Sequence, residues 1–168
     1  MALRISVWRS PELRAALSAL RVLDRDVKRH IRRETKAMVD PEWRRAVAER
    51  ADTRLAQRVL ASTARAQVSD QNVMLRSAHI GRSLSGGLKP SEHFGPVEFG
   101  SPLIRKTYTR RSKKGGTHKV TRTIGRAFPP PNREGWTVYP AAAEIIPRIA
   151  SLWVQTITRG IYEAFERR

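Results

Sequence analysis

The chain has 168 residues, a length that suits one domain large enough to bury its own hydrophobic core. Its 33 Lys and Arg against 15 Asp and Glu give a formal net charge of +18, yet 40% of its residues are hydrophobic, which excludes a disordered polycation. The absence of cysteine excludes a disulfide framework and thiolate metal sites. The sequence has neither an apolar run of about 20 residues nor a signal sequence, so we expect a soluble protein of a reducing compartment, not a membrane protein.

The first 65 residues favour a strand and two helices. Leu3–Val7 alternate apolar and polar side chains, which predicts a strand. Ser10 before Pro11 is typical of a helix start, and apolar residues at steps of three or four from Leu13 to Ile31 predict an amphipathic helix. Asp40-Pro41 predicts a break or a kink, with a second helix running from about Pro41 into the low sixties. The residues that we expect this second helix to bury are Trp43, Val47, Leu55 and Val59.

The pattern changes after Ala66. Gln67-Val68 and Val73–Ile80 predict two strands joined by a polar turn at residues 69–72, and Ser83–Pro90 predicts a loop.

Residues 103–124 predict a long β-hairpin whose strands are Ile104–Arg110 and Thr117–Ile124, with Ser112–Gly116 at the tip. Residues 99–133 contain 10 basic side chains and no acidic one. Because the strands carry few apolar residues on either face, we predict a projecting arm that a partner orders. The candidate interface residues are Arg105, Lys106, Tyr108, Arg110, Arg111, Lys113, Lys114, Lys119 and Arg122.

Two kinds of partner suit this arm equally well. A basic two-stranded ribbon can enter a DNA groove or follow phosphates, and the same surface can bind an acidic protein. Composition alone does not choose between them. Sequence-specific DNA reading is not expected, because the chain has no recognition-helix or zinc-finger pattern.

The last helix is predicted over Ile149–Phe165, where apolar residues recur on one face. Pro147 predicts a kink or a restart near its beginning, after a turn at Ala141–Ile146. The order of elements predicts one α+β domain over residues 1–168, in which a small antiparallel sheet packs against long N-terminal helices and a C-terminal helix, with residues 103–126 as an arm insertion.

No pattern predicts catalysis, and we expect no catalytic residue, cofactor or metal. The four histidines lie outside metal-ligand spacing of one another and of local carboxylate clusters, and no P-loop, GxGxxG or Gly-x-Ser-x-Gly motif is present. His93 and Glu98 are a conceivable acid–base pair, but a loop histidine and a locally paired glutamate are the preferred interpretation.

The segment order resembles the neck, or tail-completion, proteins of long-tailed bacteriophages. Val97-Glu98-Phe99-Gly100-Ser101 resembles the family's Val-Glu-Phe-Gly-Thr signature, and Phe94 stands where an aromatic residue often precedes it. Thr53-Arg54-Leu55 is similar to a Thr-Gly-x-Leu segment but lacks its glycine. A short opening strand, a basic helical region, an element like Arg126–Pro129 and a final amphipathic helix follow the family's order.

The signature also has a physical interpretation. We expect a strand in which Val97 and Phe99 share one face, Glu98 points to the other and Gly100 ends the strand with a positive φ. Glu98 is predicted to be structural or interfacial, as an ion-pair or capping partner of a basic helix residue.

The resemblance implies a non-enzymatic virion structural protein at the head–tail junction, assembled in the cytoplasm of the bacterial host. It implies a homo-oligomeric ring, with a hexamer as the expected form. The implied partners are the connector or stopper, the tail terminator and the tail tube, with non-specific DNA contact as a further option. The alternatives are a tail terminator and a sequence-independent nucleic-acid-binding protein.

Overall fold

The computed structural model describes residues 2–4, 10–113 and 115–166. The helices and strands of these ranges are β1 (Ala2–Arg4), α1 (Pro11–Arg21), α2 (Arg25–Glu49), α3 (Arg54–Ala56, continued as a π-helical turn over Gln57–Ala61), β2 (Arg65–Val68), β3 (Val73–Arg76), α4 (Pro90–Phe99), β4 (Ile104–Arg111), β5 (Thr117–Ile124) and α5 (Val138–Glu166).

The α+β fold is confirmed. A three-stranded antiparallel sheet has the order β1-β3-β2, and β4 and β5 form a separate two-stranded hairpin. The core lies between the sheet and the long helices, where α2 packs against both α5 and β2. Trp43 of α2 and Trp153 of α5 are its largest fully buried side chains. The Trp43 indole N–H donates to the carbonyl of Arg76 at 3.0 Å, so it ties α2 to the sheet.

The predicted start of the first helix is confirmed. Pro11 begins α1, and the Ser10 hydroxyl accepts the Leu13 N–H at 3.2 Å, which satisfies one of the free amides of the first turn. Of the predicted opening strand, Leu3 and Arg4 belong to β1, and residues 5–7 lie outside the described part of the chain.

Of the break or kink predicted at Asp40-Pro41, the break is wrong. The helical path is interrupted at residues 22–24 instead, and α2 then continues through Pro41 to Glu49. Proline removes one intrahelical hydrogen bond, that to the carbonyl of Ala37, and Ala37 is exposed, so water can reach this carbonyl. Asp40 accepts the Ala66 N–H at 2.7 Å, so this carboxylate joins α2 to β2 rather than beginning a helix.

The second helix predicted up to the low sixties is divided between the end of α2 and the short α3 segment. Thr53 caps α3 by accepting the Ala56 N–H at 3.0 Å. The predicted burial of Trp43, Val47 and Val59 is confirmed, whereas Leu55 is only partly buried. Of the two strands predicted after Ala66, β2 and β3 are present, and β3 ends at Arg76 rather than Ile80.

The C-terminal helix is longer than predicted. It begins at Val138, so the turn expected at Ala141–Ile146 is wrong, and Pro147 lies inside the helix. Its apolar face packs closely on α2 at Gly160, where an added Cβ would lie 2.5 Å from Cγ1 of Ile31. This absence of a side chain allows the two longest helices to approach each other.

Candidate assembly interface

The basic hairpin predicted at residues 103–124 is present. Eight cross-strand pairs join β4 to β5, from Ile104 opposite Ile124 at the base to Arg111 opposite Thr117 next to the tip. The tip closes with the Ser112 N–H donating to the carbonyl of Gly116 at 2.9 Å. Gly115 and Gly116 both have positive φ, a conformation that glycine adopts without steric penalty. We call residues 103–124 the basic arm.

The basic arm has two unlike faces, because alternate residues of a strand point to opposite sides of the ribbon. One face combines cations with large apolar or aromatic groups, and we call it the mixed face. From base to tip it carries the cross-strand pairs Ile104 and Ile124, Lys106 and Arg122, Tyr108 and Val120, and Arg110 and His118.

The opposite face is rich in threonine. Five threonines alternate there with Arg105, Arg111 and Lys119, and the hydroxyls of Thr107 and Thr121 lie 3.0 Å apart across the strands. This face offers small hydrogen-bonding groups rather than apolar area. The mixed face is therefore the one equipped to bury surface against another macromolecule.

The side chains of the mixed face are uncovered. Ile104, Tyr108 and Ile124 are 47%, 42% and 46% exposed, and Leu103 beside them is 67% exposed. These exposed apolar residues, interleaved with cations, make this face the candidate interaction surface. The predicted interface residues thus lie together on one projecting ribbon. Lys114 is outside the described residues.

The cations of the basic arm have no acidic partner within the described part of the chain. The ion pairs found there lie on the helices and on the turn between β2 and β3, and none includes a residue of the arm. No acidic residue lies between Phe99 and Arg133, which accounts for this imbalance. The arm therefore presents an uncompensated positive charge to solvent.

The root of the basic arm is closely packed. Gly100 and Gly125 have φ of 78° and 99°, and a Cβ on either would collide with the backbone of the neighbouring segment. The Ser101 N–H donates to the carbonyl of Pro129 at 3.0 Å, and the Asn132 N–H donates to that of Phe99 at 2.8 Å. The two segments that enter and leave the arm thus run side by side.

The strand predicted at Val97–Phe99 is wrong, because these residues form the last turn of α4. The positive φ predicted for Gly100 is confirmed, but this glycine ends a helix rather than a strand. Helical geometry also means that Val97 and Phe99 do not share a face by alternation. Val97 is buried, and the Phe99 ring contacts Tyr139 of α5 with 5.3 Å between ring centroids.

Glu98 is fully buried and caps α5. Its carboxylate accepts the backbone N–H groups of Val138, Tyr139 and Thr137 at 2.8, 2.9 and 3.3 Å. These amides have no intrahelical acceptor, and the positive end of the helix dipole favours a carboxylate here. The predicted capping role is confirmed, but the partner is the helix backbone rather than a basic side chain.

Two residues that the sequence analysis missed support this cap. The Asn132 side chain accepts the Glu134 N–H and donates to the carbonyl of Gly135, which fixes the turn before α5. Gly135 has φ of 79°, and a Cβ there would overlap the Glu98 carboxylate. An Asn three residues before a Gly is a turn signal that could have indicated this site.

The alternative acid–base pairing of His93 with Glu98 is wrong, and His93 lies in α4 rather than in the loop predicted for it. The His93 ring nitrogen Nδ1 lies 2.9 Å from the carbonyl of Lys89, and the Glu98 carboxylate is occupied by the amides of α5. Within the described ranges, no group of three or more His, Asp or Glu side chains could hold a metal ion. None of the helices described is both long and apolar enough to span a membrane.

A scan against protein-family models, a search of curated proteins and a search of solved structures each found no match to this chain.

Proposed function

We propose that this chain is a structural protein of the phage neck, which joins the head connector to the tail as one subunit of a ring, with six subunits as the expected number. The order of sequence motifs supports the proposal, and so does the α+β framework on which the basic arm stands. Closed rings use head-to-tail interfaces, in which a projecting element of one subunit binds a different surface of the next.

The single observation that carries this function is the uncovered mixed face of the basic arm. Its cations have no acidic partner among the described residues, and its apolar side chains are about half exposed. The segments that flank the arm are nevertheless joined to each other and to the end of α4 by backbone hydrogen bonds, from Ser101 to Pro129 and from Asn132 to Phe99. A rigid root and an uncovered ribbon suit an element that binds a neighbouring protein during assembly.

We propose acidic protein as the main partner of the basic arm. If every arm of the ring bound DNA, the genome would be held strongly at low salt. The channel of a neck ring has to let DNA pass, so strong binding there would oppose its function. An acidic surface on a neighbouring protein balances the charge of the same cations and does not retain the DNA. The neighbour is a second copy of this chain, the connector or stopper, or the proteins of the tail.

The ring is tested by native mass spectrometry and negative-stain microscopy of the purified chain, alone and with connector and tail proteins from the same phage. We expect a closed ring, either alone or on a partner, and its loss when Tyr108→Ala is combined with Arg110→Glu. The matched control is Thr107→Ala with Thr109→Ala on the opposite face, which should leave assembly unchanged. A chain that stays monomeric with every partner would contradict the proposal.

The second candidate is a sequence-independent nucleic-acid-binding protein. Tyr108 lies between the Lys106 and Arg110 positions on the mixed face, an arrangement in which an aromatic ring is flanked by phosphate-binding cations. The test is binding of a DNA duplex as a function of salt. Tight binding with a steep salt slope, abolished by neutralising Arg110, Arg111, Lys113 and Lys114, would favour this function over the acidic-protein partner.

A tail terminator is the remaining alternative within the same particle. A map of the virion that locates this chain decides between the two positions. We expect it between the connector and the tail, and a position on the last ring of the tail tube would assign the terminator function instead.

A further inference from the structure

A basic cavity of about 470 Å³ lies where α2, β2 and the segment after β3 meet, on a part of the molecule distinct from the arm. Four of its lining residues are basic, and no Asp or Glu lines it. The basic residues are Lys36, Arg65, Arg76 and His79. They come from a helix, two strands and a loop, so the fold rather than a local run of sequence brings them together.

Two of these cations face each other across the sheet. Arg65 of β2 is the direct cross-strand partner of Arg76 of β3, at the end of the antiparallel ladder. Like charges at directly opposed positions destabilise a sheet. Neither guanidinium forms an ion pair within the described ranges. The sheet therefore contains an uncompensated repulsion beside an open cavity.

The side chains also leave hydrogen-bond donors unused. The Arg65 Nη1 donates to the carbonyl of Ala64 at 2.6 Å, which orients this guanidinium. The Nε of Arg76 is buried and has no acceptor in the described part of the chain. A buried donor without an acceptor is destabilising, and this one belongs to a charged group. An anion in the cavity would balance the positive charges of Arg65 and Arg76 and offer several acceptor oxygens to the N–H groups at its wall.

The carboxylates near the cavity are engaged elsewhere. Asp40 accepts the Ala66 N–H at 2.7 Å and pairs with Arg44 at 2.6 Å. Asp70 pairs with Arg32 at 2.9 Å. Next to this cavity a shallow groove continues along α2, shares Lys36 with it and adds Arg32, Arg33 and Asp40. Among the described residues, no carboxylate pairs with the cations that line the cavity itself.

From these features we propose that the cavity binds a phosphate group, with Arg65 and Arg76 as the main ligands and Lys36 and His79 at its sides. Guanidinium groups bind phosphate oxygens through paired N–H donors, and lysine adds a point charge. The phosphate belongs either to a nucleic-acid backbone or to a free or small-molecule phosphate. The proposal does not depend on the neck function, because it concerns a different surface from the basic arm.

The first test measures the melting temperature of the full chain in inorganic phosphate and in chloride at equal ionic strength and pH. At a phosphate concentration about 100 times Kd, a single site should raise the Tm of the native sequence by roughly 5–10 °C above its value in chloride. Arg65→Gln and Lys36→Gln, which alter exposed positions, should each lose at least half of this rise. The matched control is Arg54→Gln, which alters an exposed arginine outside the cavity and should leave the phosphate-dependent rise in Tm unchanged.

Arg65→Gln also gives a result that a nonspecific charge effect would not. In chloride its Tm should equal or exceed that of the native sequence, because the repulsion with Arg76 is removed. In phosphate the Tm of Arg65→Gln should lie below that of the native sequence. An equal rise in phosphate for the native chain, Arg65→Gln and Lys36→Gln would overturn the proposal, and so would an equal Tm of the native chain in phosphate and chloride.

The second test identifies the source of the phosphate. Affinity for a blunt DNA duplex without terminal phosphates is measured in chloride for the same variants. A loss of at least fivefold for Arg65→Gln, with Arg54→Gln unchanged, assigns the site to the nucleic-acid backbone. Unchanged duplex binding, together with the phosphate-specific rise in Tm, assigns it to a free or small-molecule phosphate.

Discussion

Glu98 and Val138 join the end of one helix to the start of another: the buried carboxylate of α4 accepts the first N–H of α5 at 2.8 Å. The same carboxylate binds two further amides, and the basic arm begins at Leu103, three residues after Gly100. This one side chain therefore connects the start of the C-terminal helix with the base of the arm.

Replacing Glu98 should destabilise the whole fold. Glu98→Ala leaves three buried or partly buried amides without their acceptor, and we expect the free energy of unfolding to fall by about 3 kcal/mol. Glu98→Gln retains one acceptor oxygen and should lose less. Urea denaturation measures both, and Glu134→Ala, an exposed position in the adjoining turn, is the control. Equal stability of Glu98→Ala and Glu134→Ala would refute the capping role.

The two helical glycines Gly160 and Gly95 should respond differently to alanine. At Gly160 the new Cβ meets Ile31 at 2.5 Å, so Gly160→Ala should destabilise by about 1–3 kcal/mol through overpacking. At Gly95 nothing beyond the adjacent residues lies within 4 Å, but Pro96 follows directly. Its ring disfavours the helical conformation of a preceding residue with a Cβ, which offsets the helix preference of alanine, so Gly95→Ala should change the stability by less than about 0.5 kcal/mol. Thermal unfolding of both variants checks the pair. Adding Ile31→Ala to Gly160→Ala should give a smaller loss than the sum of the single changes.

Two buried threonines provide a similar contrast. The Thr35 hydroxyl is buried without a partner in the described structure, so Thr35→Val should raise the free energy of unfolding by about 1 kcal/mol. The Thr63 hydroxyl donates to the carbonyl of Val59 and accepts the Ala78 N–H at 2.8 Å. Thr63→Val should therefore destabilise by about 2 kcal/mol. Chemical denaturation distinguishes the two, and destabilisation by Thr35→Val would show that its hydroxyl has a partner.

Neutralising the basic arm should separate stability from assembly. Lys106→Gln, Arg110→Gln and Arg122→Gln remove exposed cations of the mixed face that have no described ion-pair partner, so together they should change the free energy of unfolding by less than about 1 kcal/mol. Ring formation or partner binding should be strongly reduced in the same protein. Calorimetry and native mass spectrometry measure the two effects. A large loss of stability would mean that the arm packs on its own chain.

The sequence predicted best those elements whose signals are local. The cap at Ser10, the turn between β2 and β3 and the hairpin over residues 104–124 depend on neighbouring residues, and each is present. The break placed at Asp40-Pro41 was wrong because a tertiary bond from Asp40 to Ala66 and an exposed carbonyl made proline tolerable within α2.

The parts that could not be predicted depend on distant contacts. Glu98 acts through amides about 40 residues away, and a five-residue motif does not reveal whether it ends a strand or a helix. The cavity between Arg65 and Arg76 arises from strand register and from the placement of α2, neither of which appears as a local pattern. The composition of the arm is evident from the sequence, whereas the difference between its two faces follows from the cross-strand register of β4 and β5.

The close approach of the chain at Pro102 and Gly125 makes the arm an exchangeable module. An added Cβ on Gly125 would lie 2.5 Å from the Pro102 carbonyl oxygen, so the 22 residues between these two positions leave and return at nearly the same point. A hairpin of another length, or a tight turn, can join Pro102 to Gly125 without moving α4 or α5. Changes of sequence or length in the arm can therefore alter the surface that it presents, while the rest of the fold keeps its structure.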